Sequence, residues 1–281
     1  MPVTNSPLRY PGGKSQLAPY VIDLLKENDL LHGVYVEPFA GGAGIAWRLL
    51  LDGYVNEVWI NDIDRSIHAF WAAVLRHSDD LCERIESTEV TIAEWHKQRA
   101  IQQESRPKIL DLAFSTFFLN RTNRSGILKA GVIGGLSQNG DYLLNCRFNK
   151  PDLIARIKRI AIYRDQIKLS RLDAEIFISN SIQKLPEVSL VNIDPPYFSK
   201  GPGLYCSFYK PEDHASLAKA IRKINRPWML TYDDAPEIRL LYQDLPTAYS
   251  SLNYSAQTKR VGVELLVLSP KLKIPKQAIA A

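Results

Sequence analysis

The sequence predicts an α/β fold, a Rossmann-like sheet interrupted by an inserted, mainly helical domain. Three observations carry this expectation. An apolar run at 33–39 passes into a glycine-rich turn and then an amphipathic helix, the opening of a doubly wound sheet. Strand and helix patterns alternate up to about Ile67, stop, and resume beyond Arg171. The interrupting stretch also differs in charge: residues 97–171 hold fifteen Lys and Arg against five Asp and Glu, a balance of +10, while the rest of the chain stands at −5. One basic segment between mildly acidic flanks points to a polyanionic partner.

The elements follow in order. Residues 16–28 place Leu17, Tyr20, Val21, Leu24 and Leu25 on one helical face. A strand at 33–39 leads through the turn Ala40-Gly41-Gly42-Ala43-Gly44 to a helix at 45–51, stopped by Asp52-Gly53. A second strand at 57–61 ends at Asp62. From 67 to 121 the pattern is mostly helical, with Leu110, Ala113, Phe114, Phe117 and Phe118 as core of a helix at 109–120. A polar, glycine-containing loop spans 123–145, and another helix lies near 152–163. Strands are then expected at 175–179, 189–193 and 228–232, a helix at 211–224, and a late antiparallel strand at 263–268. The domains are accordingly 1–66 with 172–281, and an insertion at 67–171.

With 281 residues, 46% hydrophobic and 23% charged, collagen-like, mucin-like and wholly disordered chains are excluded. A chain of this length needs no disulfide or metal staple. Its three cysteines lie far apart, without a CxxC pair or Cys/His cluster, so neither a disulfide framework nor a metal site is expected. The first residues lack the layout of a signal peptide, and no run reaches the length and apolarity of a membrane span. The expectation is a cytoplasmic protein with no membrane partner.

A glycine turn at the carboxyl end of a first strand suits a nucleotide-like ligand lying against backbone. Two common versions are excluded. The dinucleotide fingerprint needs glycine at position 47, where Trp47 stands. Gly13-Lys14-Ser15 would need a glycine at position 8 and a preceding strand to be a P-loop, and position 8 is Leu8. Asp62, 21 residues after Gly41, stands where a carboxylate can accept hydrogen bonds from both hydroxyls of a ribose. Capping of the next helix is the alternative, and Asp64 suits the cap better.

The run Val191-Asn192-Ile193-Asp194-Pro195-Pro196-Tyr197 carries the most chemistry. Two prolines after an apolar strand end its pairing and lock the backbone. They offer carbonyl oxygens and no N–H. Asp194 adds a carboxylate and Tyr197 an aromatic face, which together suit a planar group bearing an NH2, such as adenine.

With these residues in place, the chain resembles the Dam-type DNA adenine-N6 methyltransferases, which use S-adenosylmethionine. Arg9-Tyr10-Pro11-Gly12-Gly13-Lys14 is similar to the family's amino-terminal motif, and Glu37-Pro38-Phe39-Ala40-Gly41-Gly42-Ala43-Gly44 to its cofactor motif. Asn61-Asp62-Ile63-Asp64 matches the acidic motif and Asp194-Pro195-Pro196-Tyr197 the catalytic tetrad. Leu119-Asn120-Arg121-Thr122-Asn123-Arg124-Ser125-Gly126 resembles a signature of the inserted target-recognition domain, and Glu264-Leu265-Leu266 a late-strand motif.

The resemblance implies a Rossmann-like methyltransferase sheet carrying an inserted target-recognition domain. It implies that Tyr10 and Lys14 reach back over the cofactor, that the turn at Gly41–Gly44 passes beneath its methionine part, and that Asp62 holds its ribose. Pro11, Gly12, Glu37, Pro38, Phe39, Ile63, Asn180, Ser181 and Asp194 complete the implied cofactor-binding set. Relatives often carry an acid where this chain has Asn180, which can still accept a hydrogen bond; helix capping is its other reading. The catalytic set is Asp194, Pro195, Pro196 and Tyr197. Tyr197 would stack on an adenine turned out of the duplex. The aromatics of 198–210, among them Tyr205, Phe208 and Tyr209, either close over that base or belong to the core.

Arg121, Asn123, Arg124 and Lys129 are the candidate contacts to double-stranded DNA, with internal pairing as the alternative for both arginines. The rival functions are methylation of RNA adenines and nucleic-acid binding without catalysis. A restriction or defence role is compatible with the family.

Overall fold

A computed structural model describes residues 5–9, 14–199, 209–254 and 260–275 of the chain. Tyr10, Pro11, Gly12, Tyr205 and Phe208 lie outside these residues. From Lys14 a single 3-10 turn, Lys14–Leu17, runs into α1 (Ala18–Glu27), where Pro19 sits in the first turn and needs no amide partner. The short strand β1 (Val34–Glu37) is buried at every position, as a strand covered on both faces must be. The glycine turn follows. Gly41 has φ +48° and Ala43 φ +48°, both left-handed, and the second residue accepts a strain that glycine avoids. α2 (Gly44–Leu51) then leads to β2 (Glu57–Asn61), and α2 packs on both β1 and β2.

Five helices come next: α3 (Arg65–Arg76), α4 (Ser78–Ser87), α5 (Ile92–Gln103), α6 (Ile109–Thr122) and α7 (Lys150–Ala161). Thr91 caps α5 by accepting the Glu94 amide, and Asn149 caps α7 through the Asp152 amide. Alternation returns with β3 (Ile167–Ser170), α8 (Ala174–Asn180), β4 (Ser189–Ile193), α9 (Pro211–Ile221), β5 (Trp228–Asp233), α10 (Pro236–Leu241), β6 (Thr247–Tyr254) and β7 (Arg260–Leu268).

The strands form one sheet in the order β3-β2-β1-β4-β5-β7-β6. β1 to β5 are mutually parallel, while β7 runs antiparallel between β5 and β6. The order reverses at β1, whose neighbours are β2 and β4, so the loops after β1 and β4 open from one switch point. Crevices at such points are where doubly wound sheets hold ligands.

The chain divides into two compact units. Unit 1 comprises Met1–Gly13 and Arg65–Asp165; unit 2 comprises Lys14–Asp64 and Gln166–Ala281, including the whole sheet. The core of unit 2 sets Val36, Val191, Ile193 and Leu230 against Leu217 and Ile221 of α9. In unit 1, α3 and α5 pack on α6 and α4 on α7. Its centre is aromatic: Phe70 stacks on Phe117 at 6.0 Å, and Phe148 meets Phe117 edge-on at 5.4 Å.

One expected strand is a helix. Residues 175–179 lie in α8, and the strand of that crossover is β3, earlier in the chain. The Glu-Ile-Phe-Ile-Ser alternation reads as a half-buried strand, but Asp173 caps a helix by accepting the Glu175 amide at 2.9 Å. α10 and β6 are further elements that the sequence reading did not place.

Candidate active site

Strand termini of unit 2 bring the chemistry together. At the end of β4 the Asp194 carboxylate is only partly exposed, and its two oxygens differ. Thr231 Oγ1, on β5, donates to Oδ1 at 2.6 Å, and the Lys14 ammonium stands 3.4 Å from the same oxygen. No described residue donates to Oδ2. Burial raises the Asp194 pKa, and Lys14 and Thr231 work against that rise. The site therefore holds one oxygen in place and leaves the other as an acceptor.

Lys14 is buried and serves several partners. Its Nζ lies 2.6 Å from both oxygens of Glu264 on β7 and also donates to the Tyr197 hydroxyl, which in turn donates to Glu264. Glu264 is 1% exposed, and its pKa is raised by burial and by Asp194, with Lys14 opposing. One cation thus serves two carboxylates. Such a pair contributes little net stability once desolvation is counted, but it fixes geometry. Tyr197 is 4% exposed and anchored at its hydroxyl.

Beneath the switch point, Glu37 ends β1, 5% exposed, and accepts the Tyr35 hydroxyl at 3.1 Å. Burial pushes its pKa up to about 8, and the charge of Asp194 adds to the rise. Beside it Asn192 is 4% exposed, with Oδ1 unpartnered among the described residues. Asp62 reaches from the end of β2 to the glycine turn: Oδ2 accepts the Gly41 amide and Oδ1 the Asp64 amide, each at 2.9 Å. Burial pushes Asp62 to about 7 against those two amides. Asn61, one residue earlier, donates to the Pro38 and Leu172 carbonyls and accepts the Leu172 amide and Ser170 hydroxyl, tying the exits of β1, β2 and β3.

Of the expected cofactor residues, Lys14, Glu37, Pro38, Phe39, Gly41, Gly44, Asp62 and Asp194 all stand in unit 2 around these strand ends. Phe39 is half-buried, edge-on to Tyr209 at 6.2 Å, and Ile63 is 48% exposed. Asn180 ends a helix and is exposed, and Ser181 follows it as the cap. Asp173 is the acid that follows β3; its Oδ1 caps α8, and no described residue donates to Oδ2. Asp173, Thr231 and Asp233 were missed by sequence reasoning. The visible signal for the last two was polar residues alternating at the end of an apolar strand, Leu230-Thr231-Tyr232-Asp233.

The expected DNA contacts lie in unit 1. Arg124 and Lys129 are exposed. Arg121 is partly exposed, donates from Nε to the Arg147 carbonyl at 2.8 Å, and has its pKa lowered to about 9, first by burial and then by Arg9, Arg156 and Arg147. Asn123 is fully buried; its amide accepts the Trp95 indole N–H and donates to the Ile127 and Leu128 carbonyls. Its side chain therefore shapes the turn. Asn120 joins Arg9, at both its amide and its carbonyl, to the carbonyl of Gly126. At Gly126, φ is +76° and a Cβ would come within 2.5 Å of the Arg9 carbonyl oxygen.

Residues 10–259 match the family model of D12 class N6 adenine-specific DNA methyltransferases. The chain belongs to this family. No curated protein matches it significantly. Among solved structures it is similar to PH1948 from Pyrococcus horikoshii, a candidate RNA methyltransferase, at 11% identity and TM-score 0.42, covering 93% of this chain and 84% of that one. It is also similar to the rRNA methyltransferase aviRa from Streptomyces viridochromogenes, at 13% identity and TM-score 0.38, covering 92% and 85%. Family membership makes this chain an adenine-N6 methyltransferase, and its sheet is of the α/β kind expected. No helix among the described residues is long and apolar enough to cross a membrane, and those residues contain no cluster of metal-ligating side chains.

Proposed function

We propose that the chain transfers a methyl group from S-adenosylmethionine to N6 of an adenine in double-stranded DNA. The observation that carries this reading is the asymmetry of Asp194: Oδ1 is held by Thr231 and Lys14, and Oδ2 stays open beside a diproline that offers only carbonyls. The residues present suit the cofactor. Glu37 provides a buried acid for an ammonium group, Asp62 a carboxylate for ribose hydroxyls, and Asp173 Oδ2 an acceptor at the exit of β3 for an adenine amino group. Bound S-adenosylmethionine supplies an electrophilic methyl on a sulfonium.

The chain's own residues do the rest. An exocyclic adenine amine is a weak nucleophile because its lone pair is delocalised into the ring. Asp194 Oδ2 and the Pro195 carbonyl accept its two protons as hydrogen bonds, which directs the lone pair out of the ring plane. With the methyl's bond to sulfur breaking as its bond to nitrogen forms, nitrogen would give up one proton to Asp194, whose raised pKa suits it to take it. Orientation of this kind can supply about 7 kcal/mol or more of the barrier. Tyr197, fixed at its hydroxyl, presents its ring to the base, which leaves the duplex to reach the site. Arg121, Arg124 and Lys129 contact the phosphates or base edges of the DNA.

The test is incubation with unmodified genomic DNA and S-adenosylmethionine, followed by single-molecule mapping of N6-methyladenine, with RNA of matched sequence in parallel. Methylated adenines in a fixed DNA context are expected. Asp194→Ala should abolish transfer and leave some cofactor binding by equilibrium dialysis. Methylation of RNA alone, or substantial turnover by Asp194→Ala, would overturn the reading.

A further inference from the structure

β5 holds the catalytic turn at both ends. Thr231 fixes Asp194 at the entry, and Asp233, two residues on and on the same face of the strand, reaches the exit. Asp233 is 6% exposed; Oδ1 accepts the Phe198 amide at 2.9 Å and Oδ2 the Ser199 amide at 2.8 Å. Directly opposite it in register on β7 stands Glu264, which takes the Tyr197 hydroxyl. Between them the two carboxylates hold three consecutive residues, Tyr197 to Ser199, directly after a diproline. Neither proline has an N–H, so backbone hydrogen bonds cannot pin the turn from within.

We propose that Asp233 is a positioning residue for methyl transfer, acting through the Phe198 and Ser199 amides to orient the Pro195 carbonyl and the Asp194 carboxylate. This rests on the function proposed above. The clamp touches neither cofactor nor base, so its loss acts on the transfer step and leaves binding nearly as it was.

The experiment uses the full chain in single-turnover assays at saturating cofactor and DNA, with cofactor and DNA affinities and melting temperature measured on the same preparations. Asp233→Asn removes one acceptor and sets an NH2 against an amide. Its transfer rate should fall about 100-fold, while cofactor affinity changes less than about threefold. Asp233→Glu keeps the charge and moves it by one methylene; it should lose about tenfold or more, and it carries the test if the first variant does not fold. Asp234→Asn removes the neighbouring acid, which pairs with exposed Arg239, and should transfer at the wild-type rate. Wild-type rates in the folded Asp233 variants overturn the clamp, as does a loss of rate that only tracks lost cofactor affinity and lowered melting temperature. An inactive wild-type chain overturns the function itself, and the clamp with it.

Discussion

Glu37 shows what a single buried acid does to the whole chain. With its pKa at about 8, the folded protein keeps a proton between roughly pH 4.5 and 8 that the unfolded chain has released. Asp62, at about 7, acts in the same direction from about pH 4 upward. The folded state binds more protons across this window, so stability falls as pH rises through it, by up to about 5 kcal/mol for Glu37. Thermal melts of the cofactor-free chain from pH 5 to 8.5 should show this decline, and Glu37→Gln should flatten it. A melting temperature that climbs with pH would contradict the assignment. Apolar β1 and the acid ending it are visible in sequence, but the Tyr35 hydroxyl and the charge of Asp194 converge on Glu37 only in the folded sheet.

At the scale of elements, the short interior strands were the easiest to read. The Glu57–Asn61 and Ser189–Ile193 strands have the bounds the apolar pattern indicated, because a short apolar run between turn signals leaves little choice. α8 was misread because seven residues can satisfy either period, and the deciding contact is the cap at Asp173. Asp173→Ala should therefore cost about 1 kcal/mol in chemical denaturation. An unchanged midpoint would show that packing against α9 alone sets this helix. β6 escaped notice because Thr-Ala-Tyr-Ser-Ser-Leu-Asn-Tyr is an edge strand, where the apolar signal is weak. The tetrad itself was legible. Its supports were not: Thr231 and Asp233 are brought to it by parallel pairing of β4 with β5, and Glu264 by the antiparallel β7.

For the molecule as a whole, the charge contrast is gentler than the sequence window indicated. Unit 1 carries +6 and unit 2 carries −1, because the acidic helix α4, with Asp79, Asp80, Glu83 and Glu86, belongs to unit 1. Its basic surface is therefore local, and Arg124 and Lys129 are its exposed members among the expected contacts. Affinity for DNA should fall steeply with salt, and each of Arg124→Ala and Lys129→Ala should lower the slope of log K against log salt by about 1. Titrations at several salt concentrations check this; unchanged slopes would move the phosphate contacts elsewhere. Asn123→Ala should differ in kind, disturbing the turn it fills rather than the slope.

The bonds of Asn120 to Arg9 have a practical consequence for the gene. Unit 1 is drawn from two stretches of sequence, and the shorter one, residues 1–13, holds Arg9. A segment cut at Arg65 and Asp165 would strip Asn120 of its Arg9 partners. Gly126 would then lie beside an empty space where a carbonyl had been. Exchanging this unit between relatives therefore means moving two pieces of coding sequence together.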